Sequence, residues 1–179
     1  MRERLKSLIR EVGLSFGDFV LASGERSSYY IDLRLVNLHP EGLYLASSLL
    51  LDMLPEETQA IGGMGLGAYP LVSGMLLIAR GRGRSFKGFL IRKEKKKHGK
   101  GKDVEGWLEK GDRVVLVEDV ITTGGSLLEA ARRVEEKGGI IIKTLAILDR
   151  GGGKSLKAHY PFSSIFSVEE IIGGKNGQI

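Results

Sequence analysis

Two apolar runs constrain the fold more than any other feature of this chain. Residues 113–119 read RVVLVED and residues 140–150 read IIIKTLAILDR. A strand with one wet face alternates apolar and polar residues; a strand covered on both faces does not. Both runs are therefore expected inside a sheet with helices on either side. Between them SLLEAARRVEEKGG has the helical period, with Ser126 as the expected cap and Gly138 as the stop. Upstream, QAIGG and FKGFLIR read as strands around a glycine loop, MGLGAY, and a helix, PLVSGMLLIAR. Strand, helix, strand, helix in this order predicts an α/β fold with a mostly parallel central sheet flanked by helices. A further strand is expected around 164–166 and a short helix at 168–172.

The N-terminal part has a different pattern. Leu5, Leu8, Ile9 and Val12 form one helical face that ends at Gly13. FVLASGERSSYYIDLR reads as a hairpin or strand pair, and a helix runs from Pro40 to Pro55. The 179 residues suit one domain, with 1–40 as a small hood on one edge.

Charge is concentrated. Residues 92–102, RKEKKKHGKGK, hold seven basic residues and one acid, a net of +6. The chain carries +5, so everything outside that segment nets to −1. A nucleic-acid binder spreads its positive charge over a face or helix, whereas one cationic loop suits a compact polyanion. No nucleic acid partner is expected. There are no cysteines, which excludes disulfides and thiolate chemistry, and the three histidines share no metal-ligand spacing. No apolar run reaches the roughly 18 residues of a membrane span. Charges at positions 2, 3, 4, 6, 10 and 11 interrupt any secretory signal. A cytoplasmic location without membrane contact is expected.

The chemistry is expected beyond the carboxyl ends of the strands. Residues 114–126, VVLVEDVITTGGS, deliver two acids, Glu118 and Asp119, from a buried strand into a small-residue loop. Thr122, Thr123, Gly124, Gly125 and Ser126 then lead directly into a helix. Inward amides, hydroxyls and the helix N-terminus suit a phosphate monoester, and the acids suit neighbouring sugar hydroxyls. Together they describe a phosphorylated-ribose site. No Walker pattern is present.

This segment resembles the ribose-phosphate motif of the type I phosphoribosyltransferases, and the flanking segments are similar to those of the orotate branch. The pattern R-K-E-x-K-x-H-G at 92–99 looks like that branch's mobile loop, here about 93–107. By that resemblance Arg92, Lys93, Lys96 and His98 reach the diphosphate of the ribosyl donor. Lys93, Lys96, His98 and Asp119 are the implied catalytic residues. Glu118, Asp119, Val120, Ile121 and the 122–126 loop are the implied donor cradle. GGMGLGAYPLVSG resembles the family's pyrophosphate loop, with Gly67 where some relatives have lysine and a helix expected from Pro70. Thr122 and Arg150 are the implied orotate contacts, Arg150 through the carboxylate. S-G-E-R-S-S-Y-Y resembles a segment that would stack Tyr30 on the orotate ring. Ala22 stands where relatives often have lysine.

The resemblance implies transfer of phosphoribose from 5-phosphoribosyl 1-diphosphate to orotate, giving orotidine 5′-monophosphate and diphosphate in pyrimidine biosynthesis. Magnesium and a homodimer are implied with it, and no metal site built from protein ligands alone. Two other readings share the cradle: a phosphoribosyltransferase for purines or another base, and a non-catalytic sensor of the ribosyl donor. Arg150 and the basic segment favour orotate.

Overall fold

The computed structural model describes residues 1–20, 24, 26–93 and 103–173. Its centre is a six-stranded sheet of β3 (Ala60–Met64), β4 (Lys87–Ile91), β5 (Val104–Gly106), β6 (Arg113–Ile121), β7 (Ile140–Asp149) and β8 (Phe162–Ser167). The order is β5-β4-β3-β6-β7-β8; only β5 runs antiparallel, on the edge beside β4. This is the mostly parallel α/β sheet that the apolar runs predicted.

Alternation along β6 explains why its sequence lacks polar positions. Val115 and Val117 pack with Leu50, Leu51 and Leu71 from α3 (Pro40–Asp52) and α4 (Ala68–Gly81). Val114 and Leu116 point the other way, into Leu127, Ala130 and Val134 of α5 (Gly125–Glu136). Each such fully buried side chain contributes about 1.5–3 kcal/mol relative to an exposed one.

The segment before residue 40 has two parts. Leu5 and Leu8 of α1 (Arg2–Leu8), with Ile9 just after it, are buried in the main core. Arg2 donates to the Ile165 carbonyl and Arg10 to the Ile171 carbonyl, tying this end to β8 and to α7 (Val168–Ile172). Val12, expected on the same face, is exposed. A π-helical turn over Ile9–Gly13 widens the helix and carries Val12 away from the core. The hairpin of β1 (Leu14–Val20) and β2 (Arg26–Ile31) forms a separate, mostly exposed ribbon. α2 (Leu33–Asn37) follows it, with Asp32 as cap, and returns the chain to the sheet.

Two helix starts differ from the sequence reading. α5 begins at Gly125, and its cap is Gly124 at φ 84°, not Ser126. α4 begins at Ala68, with Pro70 inside its first turn. Proline is tolerated there because a first-turn amide has no helical acceptor anyway. β5, α2 and α6 (Gly153–Lys157) are too short for periodicity to reveal. Among the described residues no helix is long and apolar enough to cross a membrane.

Candidate active site

A cavity of about 410 Å³ opens beyond the carboxyl ends of β3, β4 and β6. Its walls come from the Gly65–Gly67 turn, from Lys93 just past β4, and from Glu118, Asp119, Val120 and Ser126. Arg34 and Tyr69 complete it. Parallel strands end on the same side, so residues far apart in sequence meet here.

The acids follow from strand alternation. Glu118 is buried and Asp119 is half-buried. The Asp119 amide donates to Glu118 Oε1 at 3.2 Å, and the Val120 amide donates to Asp119 Oδ1 at 2.8 Å. Burial, and then the charge of Asp119 beside it, push the Glu118 carboxyl up to about 9. At neutral pH Glu118 therefore holds a proton that the unfolded chain would release near its ordinary value of 4.5. Native Glu118 binds more protons than unfolded Glu118 between those values, so its contribution to stability falls as pH rises from about 4.5 to about 9. Glu118→Gln removes that dependence. Thermal melting at pH 8 should then show a Tm several degrees above the parent, roughly 2–4 °C per kcal/mol recovered. At pH 4 the two proteins should melt together; an equal gain at both pH values would assign the effect to packing.

The glycine loops are set by close approach. A Cβ on Gly67 would lie 2.3 Å from the Asp119 carboxylate, so the pyrophosphate-type loop and the acid pair touch through this residue. That is the position where some relatives carry lysine. The buried Asn37 amide donates to the Gly67 carbonyl at 3.1 Å and holds the loop from behind. At the other loop, Gly124 takes a positive φ and packs on Leu156 and Gly152, turning the chain into α5. Thr123 Oγ1 accepts from the Gly125 amide at 3.3 Å. Thr122 and Thr123 are exposed, and Ser126 faces the cavity. The Ile121 side chain is buried in the core, so only its backbone reaches this end; its carbonyl accepts from the Arg150 amide at 2.7 Å.

That bond sets Arg150 beside Thr122 at adjacent strand ends. The Arg150 guanidinium lies 5.1 Å from the centre of the Tyr29 ring. Tyr30, the next residue on the ribbon, points to the opposite face and packs against Phe19 at 5.7 Å. The structure thus sets Tyr29, not Tyr30, against Arg150.

The basic segment is described only at its ends. Lys93 lines the cavity, its chain lying over Gly65, where a Cβ would be 2.8 Å from Lys93 Cε. Arg92 points elsewhere, to Glu105 of β5 at 3.0 Å. Lys96, His98 and Ala22 lie outside the described residues.

Sequence reasoning missed Arg34. Its Nε and Nη2 donate to the two oxygens of Asp32 at 2.8 and 2.7 Å, which leaves Nη1 for a ligand. Arg34 in turn holds the Asp32 carboxyl below its ordinary value. The available signal was an arginine two residues behind a helix-capping aspartate. Tyr69 was missed too; its hydroxyl donates to the Ile91 carbonyl at 2.7 Å and pins the end of β4.

Comparison with known proteins settles the family. A phosphoribosyl transferase domain model matches residues 67–175. The orotate phosphoribosyltransferase of Methanocaldococcus jannaschii is 40% identical over 175 residues, covering 95% of this chain and 96% of that one. The Rhodopirellula baltica enzyme is 42% identical over 156 residues, covering 83% and 81%. The chain belongs to the orotate phosphoribosyltransferase family. Among solved orotate phosphoribosyltransferases, that of Mycobacterium tuberculosis superposes with a TM-score of 0.83 at 30% identity, covering 95% of this chain and 98% of that one. The same enzyme solved with 5-phospho-α-D-ribosyl 1-diphosphate superposes at 0.76 and 25% identity, covering 95% and 90%.

Proposed function

We infer that the protein is an orotate phosphoribosyltransferase: it moves the 5-phosphoribosyl group from 5-phosphoribosyl 1-diphosphate to orotate. The products are orotidine 5′-monophosphate and diphosphate, a step of pyrimidine biosynthesis in the cytoplasm. The carrying observation is the cavity that joins the Glu118–Asp119 pair, Ser126 at the end of the 122–126 loop, and Lys93 in one place.

Bond breaking at the anomeric carbon puts positive charge on the ribose and negative charge on the departing diphosphate. Charges already in place stabilise that separation without reorganising. In this reading the 122–126 amides and hydroxyls hold the 5′-phosphate. Neutral Glu118 donates to a sugar hydroxyl while Asp119 accepts from another. Lys93 meets the diphosphate, joined by Lys96 and His98 on the resemblance alone. Arg150 and Thr122 hold orotate, with Tyr29 as the ring beneath the arginine.

Magnesium fits this donor set as an ion carried by substrate. Among the described residues no three His, Asp or Glu side chains gather to hold a metal. The Asp119 carboxylate at the cavity, beside neutral Glu118, is the kind of oxygen ligand magnesium uses when phosphate oxygens and water supply most of its shell. Glu118 and Asp119 would stand nearest to it. When bound, the ion screens the diphosphate charge and makes it a better leaving group.

Arg34 supplies a second cation to the cavity. Arg34→Ala should raise KM for the ribosyl donor about tenfold or more, the loss of a charge-assisted hydrogen bond. Initial rates across donor concentrations check this, and an unchanged donor KM would leave Arg34 as a partner of Asp32 only.

We propose a homodimer as the working unit. Leu38, Leu66 and Leu77 are large, apolar and about three-quarters exposed. Leu38 and Leu66 line an apolar groove with Tyr69 and Pro70. A surface of this kind marks an interaction site. Leu38→Glu with Leu77→Glu should shift the protein to monomers in sedimentation equilibrium; a dimer of undiminished affinity would place the interface elsewhere.

Following orotate absorbance with donor and magnesium present tests the activity itself. Steady consumption matched by diphosphate release is expected. Donor binding without any turnover would favour the sensor reading.

A further inference from the structure

We infer that Arg133, which does not line the substrate cavity and lies two turns along α5 from Ser126, is a positioning residue that holds Lys93 in the active site. The inference rests on the reading of Lys93 as a diphosphate contact.

Arg133 lies in α5, and its side chain is only 8% exposed. A buried guanidinium is costly unless its donors are all used. Here every nitrogen is used. Nε donates to Glu129 Oε1 at 2.7 Å, one helical turn back. Nη1 donates to the Arg92 carbonyl at 2.6 Å and Nη2 to the Lys93 carbonyl at 3.3 Å. An apolar residue would satisfy the packing of α5 at lower cost. What the arginine adds is a forked grip on two successive carbonyls at the end of β4.

That grip acts on the main chain from which the Lys93 side chain springs. The side chain then runs over Gly65 into the cavity, close enough that its charge favours ionisation of Glu118. Its backbone is fixed by Arg133 and its stem is confined by the Gly65 turn, so the ammonium has few places to go. At the C-cap of α5, four residues on, Lys137 pairs with the buried Asp103 at 3.1 Å. The Asp103 carbonyl accepts from the Arg92 amide at 2.9 Å. Residues 133 and 137 share a helix face. They therefore brace both ends of the basic segment against the helix whose first turn carries the phosphate loop. No substrate touches Arg133 in this arrangement; it works through Lys93.

The test is a double-mutant cycle on the full chain with Arg133→Met, Lys93→Ala and the pair, each checked by thermal melting. With Lys93 present, Arg133→Met should lower kcat by roughly 10- to 10²-fold, the cost of misplacing a reacting contact by about 1 Å. Donor KM should change much less. In the Lys93→Ala background the same substitution should cost nothing further. Should Arg133→Met not fold, Arg133→Lys carries the cycle, because it retains the charge beside Glu129 and loses the fork. An equal loss in both backgrounds overturns the inference and makes Arg133 a general support of the fold. Full turnover by a folded Arg133→Met also overturns it, while leaving the role of Lys93 intact. Full turnover by Lys93→Ala would instead remove the underlying reading, and the inference with it.

Discussion

Lys93→Ala should lower kcat by about 10²-fold or more and raise donor KM far less. The reason lies in timing. Negative charge on the departing diphosphate is greatest in the transition state, so a cation that meets it there stabilises that state more than the bound substrate. Lys93 is suited to this because it reaches the cavity from a braced main chain and over a bare Gly65. Steady-state rates over a range of donor concentrations separate the two parameters. A large rise in KM with normal kcat would make Lys93 a ground-state anchor. Normal values of both would return the basic segment to an ordinary solvated charge run.

A comparable loss is expected at a position with no functional group at all. Gly67→Ala places a methyl carbon 2.3 Å from the Asp119 carboxylate, which has to move. A shift of about 1 Å in a substrate-positioning group can cost about 10²-fold in rate. The residue is half-buried at the cavity wall, so melting temperature should change little. Gly81, at the other end of the same helix, supplies the control: nothing lies within 4 Å of a Cβ there. Gly81→Ala should leave activity unchanged and stabilise the fold by about 0.4–1 kcal/mol. If Gly67→Ala retained full activity, Asp119 would be free to move without consequence, against its proposed role.

The central sheet and the acid pair were legible because their signals are local. A strand buried on both faces writes a continuous apolar run, and Glu118–Asp119 followed by two threonines and two glycines are consecutive. The sequence reading and the structure part where a side chain's direction depends on how elements dock. The pattern at 92–99 put Arg92 and Lys93 together, yet successive residues at a strand end point opposite ways, one to Glu105 and the other to the cavity. The same alternation separates Tyr29 from Tyr30, since a shift of one residue on a ribbon reverses its face. With two glycines in tandem before Ser126, composition alone does not say which takes the positive φ, so the sequence places the cap two residues past its position at Gly124. Arg34 is hidden because it sits in the first turn of a five-residue helix, and nothing in its own neighbourhood points to a site formed at strand ends roughly 30 to 90 residues away. Arg133 is one more charge on an amphipathic helix as far as sequence goes; its burial and its carbonyl partners belong to the docked structure.

The measurement closest to the central claim is a competition for the base. The protein is given 5-phosphoribosyl 1-diphosphate and magnesium with orotate, adenine, guanine and hypoxanthine together, and the nucleotides formed are identified by mass. Orotidine 5′-monophosphate should dominate and match the diphosphate released one to one, because Arg150 beside Thr122 offers a carboxylate partner that no purine can use. Purine nucleotides in the absence of orotidine 5′-monophosphate would contradict the assignment and make this cavity the site of a different phosphoribosyl transfer.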